Sequence, residues 1–73
     1  MATKILVADD STTIQKVIKI AFSRFDVSFA VAADSEAARA HVERESVDLI
    51  IIDAALPGMH KAEDLLLDLS QYL

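Results

Sequence analysis

The sequence predicts an α/β fold, a three-stranded parallel sheet built as βαβαβα, and three observations predict it. Short apolar, partly β-branched runs recur at Lys4–Ala8, Val27–Ala32 and Leu49–Ile52. Between and after them lie longer stretches whose apolar residues fall at helical spacing. The chain holds one Gly and one Pro in 73 residues, so little punctuates those stretches.

The first run, Lys4-Ile5-Leu6-Val7-Ala8, stops at Asp9-Asp10 and suits a strand buried on both faces. From Thr12 onward Ile14, Val17, Ile18, Ala21, Phe22 and Phe25 share one helical face, while Gln15, Lys16, Lys19 and Ser23 take the other. Asp10 or Ser11 supplies the cap of this first helix. Val27–Ala32 is the second strand, and Asp34 caps the second helix. There Ala38 and Val42 form a thin buried stripe among Glu36, Arg39, Glu43, Arg44 and Glu45, so most of the helix is expected to face water. His41 sits at the edge of that stripe. Leu49–Ile52 is the clearest strand and ends at Asp53, as the first strand ends at Asp9. Ala54–His60 then forms a loop around Pro57-Gly58, and Leu65, Leu66, Leu69, Tyr72 and Leu73 mark a third helix running to the last residue.

Composition bounds the function. With 53% hydrophobic residues the chain is not a disordered tail. A net charge of −5, with Lys and Arg scattered singly, leaves no basic stripe for a nucleic acid. No apolar run approaches the roughly 20 residues of a membrane span, and the N-terminus enters a strand rather than a signal peptide, so a cytoplasmic protein is expected. There are no cysteines, so any metal must be held by oxygen or imidazole.

Strands that alternate with helices imply right-handed crossovers, with ligands bound beyond the carboxyl ends of the strands. The acids lie there. If the first and third strands are neighbours, Asp9, Asp10 and Asp53 converge. Two carboxylates about 4 Å apart repel by roughly 4 kcal/mol at an effective dielectric near 20, and a divalent cation relieves that cost. Oxygen ligands select a hard ion, and Mg2+ typically takes one or two carboxylates beside phosphate oxygens. A carboxylate next to such an ion can act as a nucleophile toward phosphorus. By spacing alone, an equally good explanation is that Asp10 caps a helix while Asp9 and Asp53 simply end strands.

Lys4-Ile5-Leu6-Val7-Ala8-Asp9-Asp10-Ser11 and Asp48-Leu49-Ile50-Ile51-Ile52-Asp53-Ala54-Ala55-Leu56-Pro57-Gly58-Met59 resemble the receiver domains of two-component response regulators. The resemblance covers essentially the whole chain. It rests on the acidic pair after the first strand combined with a strand-end Asp followed four residues later by Pro. It implies a flavodoxin-like sheet of order 2-1-3, with residues 1–73 a partial receiver domain holding the first three βα units and lacking strands and helices four and five. It also implies that Asp53 accepts a phosphoryl group from a histidine kinase or phosphotransfer protein. Asp10 and Asp53 would ligate Mg2+ directly, Asp9 through water, and the backbone carbonyl of Ala55 would be a further ligand. Such a chain is a phosphoacceptor in signalling rather than a turnover enzyme.

The fourth and fifth strands of a complete receiver carry a hydroxyl residue and a Lys that contact the phosphoryl group, and neither Ser70 nor Lys61 stands in their place. His60 and Lys61 occupy positions where the family commonly has an acid or Asn and then Gly. A phosphatase of the aspartyl-nucleophile type would want a second Asp two residues after the nucleophile, where Ala55 stands. Exposed Lys16 and Lys19 are candidates for meeting a kinase, or simply a solvated face.

In the order 2-1-3 the third strand is an apolar edge, partly uncovered because only the first helix covers its face of the sheet. Domains this small rarely gain more than about 3–5 kcal/mol from a lone core. A homo-oligomer, most simply a dimer, is therefore expected. The alternative to a phosphoacceptor is a module that binds itself or a partner through this edge without phosphotransfer.

Overall fold

The computed structural model describes residues 2–53, 55–58 and 62–72. The order is β1 (Thr3–Ala8), α1 (Thr12–Ala21), β2 (Val27–Ala32), α2 (Ser35–Arg44), β3 (Leu49–Ile52) and α3 (Ala62–Ser70). All three strands are parallel in the order β2-β1-β3, the first half of a flavodoxin-like fold. Ala8 pairs with Ala32 on one side and Ile52 on the other, so β1, β2 and β3 end level with one another. Asp48 fixes that register from below: its N–H donates to the Lys4 carbonyl, and its Oδ2 accepts from the Lys4 N–H, each at 2.8 Å.

Alternation along the strands divides the sheet into two faces. Leu6, Ala8 and Ala32 face a core completed by Ala38 and Val42 of α2, Leu65 and Leu69 of α3, and Val47 and Leu56 from the loops. Full burial of a side chain such as Leu6, Leu56 or Leu69 stabilises the fold by about 1.5–3 kcal/mol each. Arg39 and Asp68 form an ion pair that ties α2 to α3, joined by a hydrogen bond from the Tyr72 hydroxyl to Glu43 at 3.3 Å. As its composition predicts, α2 buries only Ala38 and Val42.

The opposite face carries Ile5 and Val7, both buried, together with Phe29, Val31, Leu49 and Ile51. Right-handed crossovers place α1 here, because β1 to β2 and β2 to β3 step in opposite directions across the sheet. The Phe22 ring at the end of α1 meets the Phe29 ring edge-on at 6.2 Å. This face is thinly covered. No residue of α1 is buried, and Ile14, Val17 and Ile20 are 43%, 54% and 71% exposed. Val31 and Leu49 are exposed beside them, in keeping with an uncovered part of the third strand.

Four sequence expectations need correction. The first helix does not continue to Phe25: it ends at Ala21, and Phe22 caps it with its N–H on the Ile18 carbonyl. The Phe25 N–H then returns to the Phe22 carbonyl at 3.0 Å, a tight reversal that lets β2 begin within two residues. Phe25 is thereby left 64% exposed. In α3, Leu66 is 51% exposed although it was placed in the buried stripe, because the four-residue step from Leu65 to Leu69 takes the core positions. Gln15 is not on a solvent face. It is half-buried and bonds back to the end of β1. The third helix does not run to the last residue: it ends at Ser70, and the Tyr72 N–H closes a turn onto the Leu69 carbonyl at 3.0 Å; Leu73 lies outside the described residues. Among the described residues, no helix is long and apolar enough to cross a membrane.

Candidate functional site

The acids are assembled by the sheet itself. The Asp9 N–H donates to the Ala32 carbonyl and the Asp53 N–H to the Ala8 carbonyl, both at 2.9 Å, so each acid is the next rung after the paired strand residues. The result is a carboxyl-end cluster in which Asp9, Asp10 and Asp53 each offer an oxygen within 4.8 Å of the others. Asp9 is buried, Asp53 half-buried and Asp10 exposed.

Local bonds hold these side chains. The Ser11 N–H donates to Asp9 Oδ1 at 2.8 Å, and the Gln15 side-chain amide donates to the Asp9 carbonyl at 2.6 Å. Ser11, not Asp10, caps α1: its hydroxyl accepts from the Ile14 N–H at 3.2 Å. That leaves the Asp10 carboxylate free of the capping role it was also a candidate for. Asp53 Oδ1 accepts from the Ala55 N–H at 3.1 Å, and the Leu56 N–H closes a turn onto the Asp53 carbonyl at 3.0 Å. Ala55 therefore sits in the first turn after the cluster, fixed to Asp53 by its own amide.

The oxygens the structure brings together come from three carboxylates, which is the chemistry of a hard divalent cation rather than of zinc or copper. Among the described residues the ion pairs are Arg39 with Asp68 and His41 with Glu45, and neither reaches the cluster. Among the described residues the like charges therefore meet no side-chain cation, and the residues present fit Mg2+.

The structure brings together Asp9, Asp10 and Asp53, the acids expected to converge if the first and third strands are neighbours. Sequence reasoning did not find Gln15, whose role depends on which way α1 lies against β1. Nor did it find Ser35, whose N–H donates to the Pro57 carbonyl at 2.9 Å and joins the loop after β3 to α2. No local pattern signals either bond. His41 is half-buried with Nε2 3.7 Å from the Glu45 carboxylate. It lines a shallow pocket with Lys4 and Ser28, toward the amino ends of the strands and away from the acids. Lys16 and Lys19 are exposed on α1. His60 and Lys61 lie outside the described residues, as do Ala54 and Met59 of the loop.

No curated protein and no solved structure matches the chain. The family model for the response regulator receiver domain matches residues 5–64, a span that begins in β1 and contains every acid of the cluster. The chain therefore belongs to the receiver domains of two-component response regulators.

Proposed function

We propose that this chain accepts a phosphoryl group on Asp53 from the phosphohistidine of a histidine kinase or phosphotransfer protein, with Mg2+ held by Asp10, Asp53 and the Ala55 carbonyl and supported by Asp9. The observation that carries this reading is the approach of Asp9, Asp10 and Asp53 oxygens to within 4.8 Å at the carboxyl end of a parallel sheet. Repulsion at that spacing costs stability unless a cation offsets it, and family membership supplies the chemistry that uses one.

Each residue has a part. Asp53 is the nucleophile: its carboxylate forms the new O–P bond as the donor's P–N bond breaks, and the imidazole leaves with the electron pair. Oδ1 is turned to the Ala55 amide, while Oδ2 has no hydrogen-bond donor among the described residues. Asp9 is held by the Ser11 N–H on its carboxylate and the Gln15 amide on its backbone carbonyl. Bound Mg2+ would neutralise charge on the phosphoryl oxygens during transfer. The exposed Ile14 and Val17 begin one turn beyond Asp10 and offer the donor protein an apolar surface, with Lys16 and Lys19 exposed on the other face of the helix.

A second reading is self-association. It is supported by β3, which pairs with β1 alone and is a sheet edge, and by the exposed Phe25, Val31 and Leu49 on the thinly covered face. The two readings are compatible.

Intact-mass spectrometry after incubation with acetyl phosphate and Mg2+ tests the first. A phosphoryl adduct on the wild type that is absent in Asp53→Asn supports it. An unmodified wild type overturns it.

A further inference from the structure

We propose that the first residue of α2 clamps the loop after β3, making Ser35 a positioning residue for the ligands of the acid cluster. This rests on reading that cluster as the Mg2+ site.

The loop is tied at three points. The turn from Asp53 to Leu56 closes at 3.0 Å, the Leu56 side chain is 2% exposed in the core, and the Pro57 carbonyl accepts from the Ser35 N–H at 2.9 Å. The Ser35 amide is free to do this because N–H groups in the first turn of a helix have no intrahelical acceptor. The positive end of the α2 dipole favours a carbonyl there as well. Asp34 occupies the cap position and satisfies Ala37 instead, at 2.7 Å.

Gly58 makes the close approach possible. Its φ is +90°, and a Cβ added there would stand 2.7 Å from Ser35 Oγ. The loop thus passes against Ser35 with no room for a side chain, in a backbone conformation that L residues rarely adopt. Ala55 lies inside the tied segment. With Asp53 fixed by β3 on one side and Leu56-Pro57 fixed by the core and α2 on the other, its carbonyl is held in one orientation. Groups that orient metal ligands typically change affinity by about tenfold or more when removed.

Ser35→Pro isolates the bond. Proline is favoured at the first helical position, and Asp34 at φ −152° and ψ 172° already has the extended backbone a following proline requires. The helix is kept while the N–H is lost. Ser35→Ala keeps the N–H and is the control. Amide hydrogen exchange at Leu56, without metal, and Mg2+ affinity by calorimetric titration are the two readouts.

Ser35→Pro is expected to speed Leu56 exchange about three- to tenfold, the worth of one backbone hydrogen bond. It is also expected to weaken Mg2+ about tenfold, with Ser35→Ala near wild type in both. Gly58→Ala strains the loop from the other side and is expected to give the same pair of changes should Ser35→Pro fail to fold. Ser35→Pro indistinguishable from Ser35→Ala in both readouts would overturn the clamp. If the wild type binds no Mg2+, the site reading falls, and the exchange comparison alone decides whether Ser35 holds the loop.

Discussion

The backbone N–H of Asp53 donates to the carbonyl of Ala8 at 2.9 Å, so the β1–β3 ladder extends one step beyond the strands and sets Asp53 beside Asp9. This single bond converts a separation of more than forty residues in sequence into a shared site. The chemistry proposed for the cluster depends on it, and so do the consequences below.

Like-charge crowding should be visible without metal. Asp10→Asn removes one charge from a cluster whose oxygens lie within 4.8 Å. We expect it to raise the metal-free melting temperature and to abolish most of the stabilisation that Mg2+ gives the wild type. For the wild type that stabilisation is about 2.7 kcal/mol at one hundred times Kd. Calorimetric melts with and without Mg2+ check both directions. A mutant less stable than wild type in the absence of metal would mean that Asp10 has a structural role instead.

Core and surface leucines should separate cleanly. Leu6 is fully buried and Leu69 is 1% exposed, so either change to Ala is expected to cost about 2–5 kcal/mol. Leu67 is 74% exposed, and Leu67→Ala is expected to stay within about 0.5 kcal/mol of wild type. Urea titration followed by circular dichroism measures the difference.

The cap of α2 should carry a measurable share of stability. Asp34 Oδ1 accepts from the Ala37 N–H at 2.7 Å. Asp34→Ala is expected to cost about 1 kcal/mol, or roughly 4–8 °C in melting temperature for a domain of this size. An unchanged melting temperature would mean that water replaces the cap without loss.

Association through the β3 edge can be tested at Leu49, which is 40% exposed and stands on the thinly covered face. Sedimentation of the wild type over a wide concentration range is expected to show a rising average mass. Leu49→Lys places a charge on the strand and is expected to reduce it. A wild type that stays monomeric at the highest concentration removes the second reading.

Much of the fold was legible because its signals are local. The three strands are apolar runs that end at or just before acids, and period alone separates them from the helices. Which acids share a site was legible only after the resemblance supplied the strand order, since sequence separation hides the Asp9–Asp53 neighbourhood. Boundaries and burial were harder. Phe22 and Phe25 continue the helical spacing of α1, yet the short turn to β2 ends the helix, a tertiary demand that overrides periodicity. The stripe of Ile14, Val17, Ile18 and Ala21 predicts an amphipathic helix correctly, but a stripe does not say how much of it is covered. Gln15 donates from its side chain to the Asp9 carbonyl and Ser35 from its backbone to the Pro57 carbonyl, and no local pattern marks either bond.

Locating the phosphoryl group decides whether Asp53 is the phosphoacceptor. After reaction with acetyl phosphate and Mg2+, borohydride reduction converts an aspartyl phosphate to homoserine, and peptide mass mapping reads its position. Homoserine is expected at position 53, with unchanged aspartate at positions 9 and 10. Homoserine at position 9 or 10, or none at any of the three, would contradict that role for Asp53.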